Sequence, residues 1–164
     1  MVATSVARPA ARPNGLWIIG VGGLTAGTLD LMQACILFGW KVPLVIAGGL
    51  LGHEAVHGGA LTYVLGVVLH YFIASTVTAI YYATSRKLVF LIESPLVCGL
   101  FYGMSVELVM GYVVLPLSAL HARGPYDLRD VLQGFLVHMV VVGVPVAYVV
   151  RGFSKYRFGT EAVK

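Results

Sequence analysis

Four long stretches of the chain are apolar almost without interruption, and the polar residues cluster between them. A helix needs about 20 apolar residues to cross a bilayer core of about 30 Å, and each stretch reaches that length. The pattern therefore predicts an all-α polytopic membrane protein whose four helices pack as an antiparallel bundle. The predicted spans are residues 16–39, 59–84, 94–117 and 128–150.

Residues with known preferences for helix ends support these boundaries. Asn14 is a predicted N-cap of the first span, and Ser94 followed by Pro95 suits the start of the third. Asp127 is a predicted N-cap of the fourth span, and Asp130 follows at a spacing that resembles a capping box.

A fifth apolar run, from Val42 to Gly52, is too short to cross a bilayer. We expect one short interfacial or re-entrant helix over residues 42–57. The chain then forms a single membrane domain of residues 15–152. Residues 1–14 are predicted to be a mobile cytoplasmic tail. Residues 153–164 are predicted to be a second cytoplasmic tail, mobile over its last ten residues.

The composition strengthens the membrane assignment. The 164 residues are 59% hydrophobic and 11% charged, whereas soluble domains average about 25% charged residues. This excludes a soluble globule, a disordered chain and a disulfide-rich secreted fold. The lipid bilayer is the expected partner, and the excess of Lys and Arg needs no nucleic acid to explain it.

The excess of basic residues predicts the orientation of the chain. One side of the membrane carries eight of them: Arg8, Arg12, Arg86, Lys87, Arg151, Lys155, Arg157 and Lys164. The opposite side carries three: Lys41, Arg123 and Arg129. Because Lys and Arg are retained in cytoplasmic loops, both termini are expected in the cytoplasm.

Each predicted span carries one ionisable residue at a similar depth, which we call the polar belt: Asp30, His70, Glu107 and His138. Small residues, which allow helices to pack closely, lie on the same helix faces as these ionisable residues or within one or two turns of them. The predicted packing glycines are Gly23, Gly27, Gly66, Gly99, Gly103 and Gly134. We therefore expect the four ionisable groups to point into the bundle.

Three interpretations of the polar belt remain open at this stage. The acids and histidines can pair to fix the register of the helices, because an unpaired charge in a membrane costs several kcal/mol. They can instead form a path for protons or cations. Finally, His70 and His138 could ligate a b-type haem or a metal.

Residues His53 to His57 read HEAVH and match the zinc-protease pattern H-E-x-x-H. In that pattern two histidines one helical turn apart bind zinc and the glutamate acts as general base. Gly58 and Gly59 follow at once, no third ligand is evident, and little chain remains for a substrate-binding domain. A polar cap on the short helix is the competing interpretation, and a non-catalytic metal site at His53 and His57 is a third.

Several segments resemble a family of small uncharacterised bacterial inner-membrane proteins. They are GTLD from Gly27, GVVLHYFIA from Gly66, YYATSRK from Tyr81, SPLVCGLFYGMSVELVMGYVVLPLS from Ser94 and HMVVVGVP from His138. The resemblance covers residues 16–151 and implies four spans in a bacterial inner membrane, with matching positions at Asp30, His70 and His138. Glu107 and the HEAVH segment depart from the family pattern, which places both outside any shared mechanism.

The function predicted from the sequence is non-enzymatic. We expect a small transport or channel-like protein, or a component of a membrane complex, with no cofactor. The alternatives are a bis-histidine haem b or metal-binding protein and a zinc metalloprotease. Because four helices enclose little volume, a homo-oligomer or a larger membrane complex is expected.

Overall fold

The computed structural model describes residues 14–123 and 127–158, with side chains as far as Ser154. The predictions for residues 1–13 and 159–164 lie outside the described residues. The described residues form helices and turns, with no β-strand among them. The α-helices are α1 (Gly15–Phe38), α2 (Val42–Leu51), α3 (Ala60–Ser85), α4 (Phe90–Glu93), α5 (Pro95–Val109), α6 (Leu115–Leu117), α7 (Leu128–Val137) and α8 (Val144–Phe158).

Four long helices begin and end within a few residues of the predicted spans. They are Gly15–Phe38, Ala60–Ser85, Pro95–Leu117 and Leu128–Ser154, and we refer to them as the first to fourth long helices. The fourth continues in α8 to Phe158, so the start of the tail predicted from residue 153 is helical. All four are long and apolar enough to cross a membrane, which is compatible with an integral membrane protein.

The helix starts use fewer side-chain caps than the sequence suggests. Asn14 begins α1 through its backbone carbonyl, which accepts from the Trp17 N–H at 2.9 Å, and its side chain makes no capping bond. The Ser94 side chain likewise makes none. Asp127 does cap α7, because its carboxylate accepts from the Arg129 N–H at 3.2 Å.

The third and fourth long helices each contain a π-helical turn. Met110–Val114 joins α5 to α6, and His138–Gly143 joins α7 to α8. Each turn ends two residues before a proline, at Pro116 and at Pro145. Because proline lacks an N–H and its ring crowds the carbonyl four residues earlier, a widened turn at this point relieves the clash without ending the helix.

The short helix predicted over residues 42–57 is broken into two parts. The α-helix ends at Leu51, and His53–His57 form a 3₁₀ helix. Gly52 separates them with a φ of 84°, a backbone conformation that favours glycine. The single predicted helix is therefore wrong in this detail.

The hydrophobic core lies where the start of α1, the end of α3 and α8 meet. Ile18, Tyr81 and Val150 are buried there, and the Tyr81 hydroxyl donates to the Leu91 carbonyl at 2.9 Å. Tyr102 packs edge-on against Tyr81 with ring centroids 4.9 Å apart. This end of the bundle is closed by side chains, whereas the opposite end contains the cavities described next.

Candidate functional site

Glu107 on α5 and His138 at the start of the second π-helical turn form a direct contact. Nδ1 of His138 lies 2.9 Å from Oε2 of Glu107 and 3.1 Å from the Gly134 carbonyl oxygen. Both partners are acceptors, so Nδ1 carries a proton and donates to them. The side chains of His138 and Glu107 are 23% and 16% exposed. Among the described residues, Nε2 of His138 makes no hydrogen bond.

Asp30 and His70 approach each other less closely. Nε2 of His70 donates to the Gly27 carbonyl at 2.8 Å, one helical turn before Asp30. Oδ2 of Asp30 lies 4.0 Å from the same nitrogen, beyond hydrogen-bond distance. Within the described residues the Asp30 carboxylate makes no hydrogen bond, although its side chain is only 18% exposed. Asp30 is thus the acid of the polar belt without a close partner.

A cavity of about 370 Å³, which we call the polar cleft, lies between the first, third and fourth long helices. Its charged and polar lining comprises Asp30, Gln33, Glu107, Asp130, Gln133 and His138. The cleft lies towards the end of α1 and the start of α7, opposite the closed core. It gives Asp30, Glu107 and His138 one shared polar environment.

Asp130 is the charged residue of the polar cleft that the sequence interpretation did not assign to the site. Its spacing from Asp127 suggested a cap, but its side chain lines the cleft. A signal was present, because Asp130, Gly134 and His138 recur every four residues and share one helix face. Gln33 lies three residues after Asp30 and shares the corresponding face of α1.

A second cavity of about 240 Å³, which we call the apolar cavity, lies on the other side of Asp30 and His138. It is lined by all four long helices and is bordered by Val45, Ile46 and Gly49 of α2. His70 also lines it, among mainly aliphatic side chains. Asp30 and His138 line both cavities and therefore lie between them.

The six predicted packing glycines all face a neighbouring element. A Cβ atom at Gly66 would overlap the Pro43 carbonyl, and one at Gly103 would overlap the His138 carbonyl. At Gly134 it would overlap Oε1 of Glu107. Gly23 faces Ser75, Gly27 faces Tyr71 and Ala74, and Gly99 faces Gly143 and Ala147. The absence of a side chain at position 134 makes room for the carboxylate that binds His138.

The HEAVH segment lies apart from this site. His53, Glu54 and His57 are exposed on the 3₁₀ helix, and Ala55 is buried. In a 3₁₀ helix residues four apart are separated by about 120° around the axis, compared with about 40° in an α-helix. His53 and His57 therefore do not share one helix face, as the two histidines of the α-helical H-E-x-x-H pattern do. Across residues 14–123 and 127–158, no three His, Cys, Asp or Glu side chains are grouped to hold a metal ion.

We expect chelation of metals to leave the stability of the protein unchanged. If His53 and His57 held a structural zinc ion, EDTA would lower the thermal unfolding midpoint in detergent. His53→Ala should have the same unfolding midpoint as wild type, with and without EDTA. Zinc is measured by mass spectrometry in the same preparations. One equivalent of zinc per chain, lost in His53→Ala, would contradict the expectation.

The haem hypothesis for His70 and His138 stays a prediction. In the geometry described, Nε2 of His70 is engaged with the Gly27 carbonyl, and Nδ1 of His138 with Glu107. An absorption spectrum of protein extracted from its native membrane is the direct check, because bound haem gives a Soret band.

Comparison of the chain with known protein families, curated protein sequences and solved structures gives no match. The resemblance to bacterial inner-membrane proteins consequently stays a prediction. The class that the fold defines is a helical protein whose four long apolar helices suit a multi-pass membrane protein.

Proposed function

We propose that this chain is an inner-membrane protein whose four long helices cross the bilayer in alternating directions. The distribution of Lys and Arg supports cytoplasmic termini, and it assigns α2 and the 3₁₀ helix to the outer surface. Trp17 and Trp40, which are 62% and 75% exposed near the two ends of α1, suit the two interfaces. Self-association or docking to a larger membrane complex remains part of this proposal.

Within that topology, the polar belt moves protons as part of a small transport protein. The observation that carries this proposal is the position of Asp30 and His138 between the two cavities. The polar cleft gives water access from the outer side, and imidazole and carboxylate groups transfer protons at neutral pH. His138 suits a relay because Nδ1 is held by Glu107, while Nε2 makes no hydrogen bond among the described residues.

The closed inner half of the bundle distinguishes a transporter from an open channel. Ile18, Tyr81 and Val150 fill the space between the polar belt and the cytoplasmic end. A proton that reaches Asp30 from the outer side therefore needs a conformational change to continue inward. The widened turn at His138–Gly143 joins the half of the fourth long helix that lines the cleft to the half that packs in the core, and such turns are common at functional sites.

Proton flux into reconstituted vesicles tests the proposal. We expect wild-type protein to acidify vesicles that contain a pH-sensitive dye when a pH gradient is imposed. Asp30→Asn should lower this flux by roughly tenfold or more, since a positioned proton-transfer group contributes roughly 10²–10⁴-fold to a rate. The matched control is Glu93→Gln, because Glu93 is an exposed carboxylate that does not line the cleft.

Two results would contradict proton movement through the polar belt. One is a wild-type flux equal to that of protein-free vesicles. The other is the same flux in wild type, Asp30→Asn and Glu93→Gln, measured with equal amounts of folded protein in the vesicles.

A further inference from the structure

The two cavities together form a site with a charged part and an apolar part. The polar cleft and the apolar cavity meet at Asp30 and His138 and have volumes of about 370 Å³ and 240 Å³. A cavity with mainly apolar walls and a few convergent polar groups is the usual form of a small-molecule site. An occupant that fills both parts must carry an apolar body and a polar head.

The charges in the polar cleft decide the sign of that head. Asp30, Glu107 and Asp130 contribute three carboxylates, and His138 is the single cationic candidate among the described residues that line the cleft. His138 already donates to Glu107 and His70 to the Gly27 carbonyl, so Asp30 has no hydrogen bond within the described part of the chain. A carboxylate in a partly desolvated site is stabilised by an opposite charge, so the cleft selects a cation and repels an anion.

The geometry favours an organic cation over a metal ion. The acids lie along the cleft on three different helices, and in the described part of the chain they do not gather into a group of metal ligands. The walls of the adjoining cavity are formed by residues such as Ile73, Val106 and Met110. Such walls bind hydrocarbon or aromatic groups through the hydrophobic effect.

We propose that the protein binds a lipophilic organic cation, an amine or quaternary ammonium, with its charge at Asp30 and its apolar group in the apolar cavity. This inference rests on the proposed transport function and names the class of its substrate. Protonation of Asp30 and binding of the cation are then mutually exclusive. This couples the movement of the proton to the movement of the organic cation.

Two isosteric compounds provide the direct test. Benzyltrimethylammonium carries one positive charge, and neopentylbenzene has the same shape with carbon in place of nitrogen. We expect titration calorimetry of the purified protein in a nonionic detergent, with protein-free micelles subtracted, to show saturable binding of the ammonium compound and not of its neutral isostere. Equal binding of the two compounds, or no binding of the cation by wild type, would overturn the proposal.

Substitutions locate the site independently. Asp30→Asn should weaken binding of benzyltrimethylammonium by roughly tenfold to a hundredfold, the effect of losing one charge-assisted contact. Glu93→Gln should leave it unchanged. If Asp30→Asn fails to fold, Gly49→Leu serves instead. Gly49 lines the apolar cavity, and among the described residues a Cβ there meets Ser118 alone, at 3.9 Å. The larger side chain should fill the cavity and weaken binding by roughly tenfold.

Binding and proton flux separate the two proposals. Proton flux that depends on Asp30, with no binding of benzyltrimethylammonium, would overturn the substrate class and leave the proton function intact. Binding that depends on Asp30 and Gly49, with no proton flux in vesicles, would overturn proton movement and leave the ligand site intact. Binding unaffected by either substitution would overturn the location of the site.

Discussion

Gly103→Ala is expected to separate the third and fourth long helices and to lower the stability of the protein. The added Cβ would overlap the carbonyl oxygen of His138 and lie 2.6 Å from Cα of Met139. These are backbone atoms, which cannot rotate away as the end of a side chain can. Overpacking of this kind costs about 1–3 kcal/mol, and we expect the upper end of that range.

The environment of Gly103 explains why the helices have little room to adjust. A Cβ at Gly143 of the fourth long helix would in turn overlap the Gly99 carbonyl and approach Gly103. Backbone thus meets backbone from Gly99 to Gly103, about one helical turn, as is common where small residues line a membrane helix interface. Separation here also pulls His138 from Glu107, one turn further along α5, so proton flux should fall together with stability.

Thermal unfolding in detergent measures the effect of Gly103→Ala. The matched control is Gly20→Ala, because a Cβ at Gly20 meets no atom of the described residues within 4 Å. That control should be neutral or more stable by about 0.5–1 kcal/mol, the helix preference of Ala over Gly. Equal midpoints for wild type and Gly103→Ala would mean that the two helices are not in backbone contact.

The long helices could be predicted from the sequence because membrane thickness sets their length. Uninterrupted apolar stretches of about 20 residues leave few alternative boundaries, so the predicted and observed ends differ by a few residues. Gly52 shows the limit of this argument. Its neighbours are apolar on one side and polar on the other, and hydropathy does not reveal a φ of 84° that turns one predicted helix into two.

The candidate site could be predicted only in part. The helical repeat identified which residues share a face, but it does not give the rotation of one helix about its axis relative to the next. The sequence could therefore propose pairing between acids and histidines without showing that Glu107 binds His138 at 2.9 Å while Asp30 stays 4.0 Å from His70. The single sequence signal for the π-helical turn at His138 is Pro145, two residues after the turn ends.

The last prediction concerns the energy that couples Glu107 to His138, and a double-mutant cycle measures it. His138→Leu removes the Nδ1 donor and leaves the Glu107 carboxylate, which is only 16% exposed, without that partner. We expect a loss of about 2 kcal/mol, typical of a hydrogen bond to a charged group. Glu107→Leu should cost less, because a neutral imidazole still donates to the Gly134 carbonyl at 3.1 Å.

The double substitution should be less destabilising than the two single losses added together, since no unpaired carboxylate is left and two apolar groups of similar size replace the pair. The expected coupling is about 1–3 kcal/mol, read from thermal or denaturant unfolding in detergent. Glu107→Leu combined with Thr76→Val is the control, because Thr76 is exposed and its hydroxyl donates to the Phe72 carbonyl of its own helix. Those two losses should add within about 0.5 kcal/mol. If the losses of stability for Glu107→Leu and His138→Leu also add, the pair does not hold the third and fourth long helices together. The two groups would then serve only as a separate acceptor and a separate donor in the cleft.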